Sequence, residues 1–173
     1  DIERVMKQFE NKYRCFDFIG PSPIDFDKHM LYGECVWEEL CKFDLRNLIK
    51  KGKTKIGIIF NLDPHYLEGS HWISMFINVK KGYIFFFDSN GEAAPAQVKK
   101  LANRIIKQGK EIGLNLEFYQ NHPKEHQKGN TECGMYSLYL IIQLLTGTHD
   151  YKFFMNERVP DKNMQELRKE YFN

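Results

Sequence analysis

The chain has 173 residues, with 25 Lys and Arg against 23 Asp and Glu and a formal net charge of +2. That length suits one domain, residues 1–173, able to bury about two thirds of its unfolded surface without covalent staples. The balanced charge argues against nucleic acid as a partner. The four cysteines, Cys15, Cys35, Cys41 and Cys133, contain no Cys-x-x-Cys pair, and no charged-then-apolar leader opens the chain. No uncharged apolar run reaches the ~20 residues that span a bilayer. The expectation is a soluble protein of a reducing compartment, with no required disulfide and no membrane association.

Ile2, Val5, Met6 and Phe9 recur at helical spacing and predict an amphipathic helix over residues 2 to 12. Phe16 to Phe26, with Gly20, Pro21 and Pro23, reads as irregular and aromatic-rich. Asp44 can cap a short helix over Leu45, Leu48 and Ile49, which Gly52 stops. Ile56 to Phe60, Trp72 to Val79 and Tyr83 to Phe87 are β-rich runs, the last two joined by a short hairpin connection at Lys80, Lys81 and Gly82. Val98, Leu101, Ile105 and Ile106 fit a helix packed on the sheet. Leu114, Leu116 and Phe118, alternating with Asn115, Glu117 and Tyr119, predict a fourth strand. Residues 134–146 are apolar nearly all round, so that helix should be central and buried. Asp161 can cap a final helix through Met164 and Leu167. The sum is an α+β domain with one mixed or antiparallel sheet flanked by helices.

On this outline Cys133 opens the buried helix, where free N–H groups and the helix dipole favour a thiolate. His71 ends a loop containing Gly69 just where a strand begins, and Asp88 closes the next strand of the same hairpin. An acid so placed can fix the imidazole tautomer and leave the opposite nitrogen to the thiol. Gln127, in a polar loop ahead of Cys133, can join the Cys133 backbone N–H as an oxyanion donor, with Asn130 as its competitor. Asn90 competes with Asp88, but Asn90 with Gly91 has a sufficient turn role. Taken singly, each residue has a blander reading. A cysteine opening an apolar helix is more often a small buried hydrophobe, and Asp88-Ser89-Asn90-Gly91 is a good turn by itself. Only the ensemble in the order His71, Asp88, Gln127, Cys133 points to nucleophilic catalysis.

The remaining histidines and cysteines read as poor metal ligands. Pro123 spoils a helix that would align His122 with His126, and Cys35 with Cys41 lacks a second close pair. No metal and no cofactor are expected.

The His-Trp pair entering a strand, the strand-end Asp, the Gln ahead of Cys-Gly and the buried helix after it resemble the ubiquitin-like-protein-specific cysteine proteases and the related adenovirus proteinase. The likeness covers roughly residues 56–146. Gly69-Ser-His-Trp, Phe87-Asp-Ser-Asn-Gly and Thr131-Glu-Cys-Gly, with Phe16 to Phe26 upstream, most resemble the polyprotein-processing proteases of large DNA viruses such as African swine fever virus. The resemblance implies a papain-like variant fold in which Cys133 attacks, His71 acts as base then acid, Asp88 orients His71, Gln127 supports the oxyanion and Trp72 roofs the substrate groove. It further implies cleavage after Gly-Gly in a viral structural polyprotein, in the host cytoplasm or the virion. The alternatives are removal of a ubiquitin-like modifier of the SUMO or ubiquitin type, and acetyl transfer on the same triad. The tryptophan-bearing motif that modifier proteases place near the domain start is missing, Trp37 not standing in that context, and Glu132 replaces the Asp of many relatives. The first departure weighs against a modifier as substrate.

Overall fold

The computed structural model describes residues 2–67 and 71–172, so Gly69 and its place in the loop before His71 lie outside the described residues. The centre is a five-stranded mixed sheet in the order β1-β2-β3-β4-β5, formed by β1 (Phe16–Pro23), β2 (Lys55–Asn61), β3 (Trp72–Asn78), β4 (Tyr83–Phe87) and β5 (Glu117–Gln120). The three central strands pair antiparallel, whereas β1 joins β2 and β5 joins β4 in parallel. Both sheet faces are covered, and the alternation of strand side chains sorts them between two cores. Ile56, Ile58, Phe60, Ile73, Met75, Ile77, Ile84 and Phe86 face α2 (Glu38–Cys41), α3 (Leu45–Lys50) and α4 (Ala96–Glu111). Ile59, Phe76, Phe85 and Phe87 face α1 (Ile2–Lys12), α5 (Cys133–Thr146), α6 (Tyr151–Asn156) and α7 (Asp161–Phe172).

The α5 helix runs close over the sheet because Gly57 leaves room for it. A Cβ at Gly57 would stand 2.8 Å from Ile141 Cγ2 and 3.1 Å from Phe16 Cε1. That close passage buries ten residues of α5, Cys133 among them, and fixes the first turn of the helix against the start of β3.

The segment Phe16 to Phe26, expected to be irregular, begins as strand β1. It pairs in parallel with β2 from Phe16 opposite Lys55 to Ile19 opposite Ile58, then shifts register before Ser22 meets Phe60. The shift falls at Gly20 and Pro21. Gly20 has φ of 121°, and a Cβ there would stand 2.5 Å from Ile59 O, so the bulge needs glycine. Prolines are tolerated because β1 is an edge strand. The fourth predicted strand forms three residues later than expected, over Glu117–Gln120. The Leu114 N–H is spent on Gly109 O in the turn ending α4, so residue 114 cannot enter the ladder, although Leu116 is buried. The short helices α2 and α6 were not anticipated. Asp44 caps α3 as predicted, accepting from Asn47 N at 3.1 Å. Asp161 instead forms the first turn of α7 and turns its carboxylate outward to other partners.

Cys35 and Cys41 are joined in a disulfide with Cα atoms 6.2 Å apart, a bond that the sequence reading did not require. Cys15 and Cys133 are free. Among the described residues no helix is long and apolar enough to cross a membrane.

Candidate active site

Three elements converge at one end of the sheet: the start of β3, the end of β4 and the first turn of α5. Ser74 of β3 pairs with Phe87 of β4, so His71, just before β3, and Asp88, just after β4, emerge side by side. The His71 Nε2 stands 2.8 Å from Asp88 Oδ1. With Nε2–H donated to the carboxylate, Nδ1 is left for the Cys133 thiol, which hydrogen-bonds the ring. The Trp72 N–H also donates to Cys133 Sγ at 3.4 Å. His71, Asp88 and Cys133 are thus brought together as the sequence reading expects.

The charges follow from these contacts. Burial works against a charged ring, but hydrogen bonds to Asp88 and Cys133 and the charges of both outweigh it, and the His71 pKa is pushed up to about 9. Burial alone would raise the Cys133 thiol. The His71 hydrogen bond, the Trp72 N–H, the imidazolium charge and the Gly134 N–H more than offset it, so the thiol titrates below its usual range. The pair is therefore suited to exist as thiolate and imidazolium, the nucleophilic form.

Asp88 is held by a network with little trace in the sequence. Asn121, 1% exposed, accepts from Asp88 N–H at 2.9 Å and donates its amide to Asp88 O at 2.7 Å and to Lys124 O at 2.8 Å. Asn90 donates its backbone N–H to Asp88 Oδ1 at 2.8 Å, while its side chain is exposed. The acid beside His71 is therefore Asp88 and not Asn90.

Gln127 is 2% exposed and fixed at both ends. Ser89 Oγ–H donates to Gln127 Oε1 at 2.7 Å, and Gln127 Nε2 donates to Gly129 O at 3.0 Å, which leaves the second amide hydrogen for another acceptor. Asn130 is exposed and lines the cavity in front of Cys133. The loop between Gln127 and Cys133 is tied down by Asp161, which accepts from Gly129 N at 2.9 Å and Lys128 N at 3.2 Å, with Tyr136 OH donating at 2.9 Å. Burial opposes that carboxylate, yet these donors hold it below the ordinary carboxylate range. Glu132, the residue before Cys133, makes a 3.0 Å ion pair with Arg168 of α7.

His126 plays no part in a metal site. It is fully buried, its Nδ1 accepts from Val159 N at 3.0 Å and its Nε2 faces Phe154 O at 2.8 Å. Burial pushes its pKa down, so it stays neutral with both nitrogens occupied.

Trp72 separates two cavities and lines both. One, of about 430 Å³, contains Cys133, Asn130, Thr131 and Arg168. The other, of about 530 Å³, is lined by Trp37, Met30, Glu34, Asp63 and His65 among others. Trp37, which stands in no recognisable motif, thus shares a cleft with Trp72. Its contribution could not be seen from the sequence because it reaches the cleft from the turn before α2.

A buried thiol at a helix N-terminus, hydrogen-bonded to an imidazole that a carboxylate holds from behind, on a mixed sheet clasped by helices, defines a cysteine-peptidase domain. The chain belongs to the Ulp1 protease family, whose C-terminal catalytic domain matches residues 2–173. It is 32% identical over 147 residues to a thiol protease of Acanthamoeba polyphaga mimivirus, which covers 85% of this chain and 47% of that protein. It is 25% identical to the SUMO-1 cysteine protease of African swine fever virus over 99% of this chain and 66% of that protein. The chain therefore spans about half to two thirds of these relatives. The crystal structure of the African swine fever virus protease superimposes with a TM-score of 0.83 at 24% identity, over 99% of this chain and 65% of that one. The yeast Ulp1 protease domain in complex with Smt3, the yeast ortholog of SUMO, does so with a TM-score of 0.57 at 18% identity, over 89% and 69%. Both confirm the α+β fold with its mixed sheet.

Proposed function

We propose that this domain is a cysteine endopeptidase that cleaves after Gly-Gly in a viral structural polyprotein, in the host cytoplasm or the virion. The reading is supported by the His71–Asp88 hydrogen bond at 2.8 Å and by the Cys133 thiol, which interacts with the same ring and titrates below its usual range. Cys133 thiolate attacks the scissile carbonyl, His71 gives its proton to the leaving amine, and water then hydrolyses the thioester with His71 as base. Asp88 orients the ring and stabilises its charged form. No cofactor takes part. The relatives supply a second reading: one is a SUMO-1 protease by name and another is seen with a SUMO ortholog, so release of a ubiquitin-like modifier uses the same chemistry. Incubation of the enzyme with a Gly-Gly-containing polyprotein fragment and, in parallel, with a modifier conjugate separates the two. Cleavage of the fragment alone supports the first reading, and cleavage of the conjugate alone overturns it.

The oxyanion is assigned to Gln127 and the Cys133 backbone N–H. Gln127 is held by Ser89 and keeps one amide hydrogen free, and such a preset donor acts mainly on the transition state. Gln127→Ala is expected to lower kcat by roughly 10²-fold or more with KM nearly unchanged. A neutral Gln127→Ala beside a crippled Asn130→Ala transfers the role to Asn130.

Specificity is assigned to the indole of Trp72, with Trp37 on the same cleft. A chain entering from the larger cavity must pass Trp72 to reach Cys133, so a Cβ beside the ring meets it directly. Replacing the glycine before the scissile bond by alanine should reduce kcat/KM by more than the ~1 to 3 kcal/mol that a methylene is worth in a forgiving pocket. Trp72→Ala should weaken that discrimination and lose rate, because the tail is held less firmly. Steady-state kinetics on paired Gly-Gly and Gly-Ala peptides measure both effects, and equal rates for the pair with the wild-type enzyme contradict the assignment.

A further inference from the structure

We propose that His29, Cys35 and Cys41 form a binding site for a zinc-class divalent cation when the Cys35–Cys41 disulfide is reduced. The site stands apart from the triad and does not rest on the functional reading above. A donor atom from each residue lies within 4.8 Å of the other two. The arrangement arises from the fold, since His29 forms an isolated antiparallel bridge with Cys35 and Cys41 closes α2. The sequence shows only two cysteines without a second close pair. The third ligand is delivered by the turn between residues 29 and 35, where Met30 N donates to Glu34 O and Gly33 N to Met30 O.

Two thiolates bound to a tetrahedral zinc at ~2.3 Å lie about 3.8 Å apart, with the imidazole nitrogen at a similar distance. Three donors already within 4.8 Å therefore need only side-chain rotation. A Cα separation of 6.2 Å falls in the range that a disulfide also accepts, so one backbone serves both states. The His29 side chain makes no hydrogen bond among the described residues, and it is exposed, so both ring nitrogens are available and solvent can fill a fourth position. Cys35, by contrast, is buried.

The chemistry balances with a thiol reductant. Two external thiols reduce the Cys35–Cys41 bond to two thiols and leave as their own disulfide. The cation then displaces both thiol protons and takes the neutral imidazole as third ligand. In an oxidising medium the reverse exchange restores the disulfide and releases the ion. Either bond joins the turn before Cys35 to α2. Met30, Glu34, Cys35, Val36 and Trp37 from this region line the larger cavity beside Trp72, so the site braces one wall of that cleft in both redox states.

The test uses cobalt(II) as the probe, titrated into the 173-residue chain carrying Cys133→Ala, which removes the competing thiol next to His71, and kept reduced with a phosphine. The expected result is a tetrahedral, thiolate-type cobalt spectrum saturating at a single equivalent and bleached by zinc. Cys35→Ser and Cys41→Ser should abolish it. Because these variants lose the disulfide as well, His29→Ala is the deciding one. Its side chain is exposed, so the fold and the oxidised disulfide should survive, while cobalt affinity falls by about tenfold or more, since even loss of a ligand's supporting partner costs ~10 to 100-fold. No tetrahedral spectrum in the reduced protein, or unchanged affinity in His29→Ala, overturns the proposal and leaves the pair as a disulfide only.

Discussion

Cys133→Ala should abolish peptide cleavage, with a loss in kcat on the order of 10⁵ to 10⁶, as for other nucleophile deletions that leave binding and the oxyanion site in place. The fold should be unchanged. Cys133 is small and buried at the helix start, and the core under α5 is built by other residues, among them Tyr136, Leu138, Leu140 and Ile141. Circular dichroism and the thermal midpoint check that separately from activity. The same mechanism predicts which thiol reacts first. Of the two free cysteines, only Cys133 is hydrogen-bonded to an imidazole, so a limiting alkylating agent should label it well before Cys15, although Cys15 is more exposed. Equal labelling of the two in the native protein contradicts a depressed Cys133 pKa. The reactive ion pair also sets the pH profile. kcat/KM should rise as pH passes through the lowered thiol value and fall as it passes through about 9, where His71 loses its proton. The folded-state pKa of His71 is raised, so its contribution to stability is complete below the unfolded value near ~6.5 and is lost as pH climbs through about 9.

Asp88→Ala should lower kcat by about 10²-fold or more, and up to ~10⁴-fold if the ring settles in the wrong tautomer. The carboxylate is only 3% exposed, and it accepts from His71 and from the Asn90 N–H on the same oxygen. Removing it takes away both the orienting acceptor and the charge that stabilises imidazolium, so the high-pH limb should also move down. Asn90→Ala leaves the Asn90 backbone N–H in place and should be close to neutral. Steady-state kinetics of the two variants decide the matter, and a far worse Asn90→Ala would reverse the assignment.

What could be read from the sequence follows the range of the forces involved. The strands β2, β3 and β4 and the helix α5 were legible because a continuous apolar run, a tight hairpin and an all-round apolar helix are local patterns. The three residues His71, Asp88 and Cys133 could be brought together because two lie at paired strand ends and the third at a helix start. Strand β1 was not legible. It borrows its ladder in parallel from β2 across a long stretch of chain, and Gly20 with Pro21 breaks its pattern. The clamp of Asn121 on Asp88, the Ser89 hydroxyl on Gln127 and the Asp161 carboxylate on the Gly129 loop were equally hidden. Each joins residues that are distant in sequence, and each uses a residue type common in ordinary turns. Trp37 is a further case, since only the fold sets it on the cleft that Trp72 shares.

The cut proposed for Cys133, paired with His71, requires a chain that presents glycine beneath Trp72. Cleavage-site mapping by mass spectrometry on a diverse peptide library, with the wild-type enzyme and Cys133→Ala side by side, tests it most directly. Cuts should follow glycine, with a second glycine enriched one residue earlier, and all should be absent from the Cys133→Ala digest. Efficient wild-type cleavage after Ala-Ala or Leu-Arg, or cuts that persist without the Cys133 thiol, would contradict it.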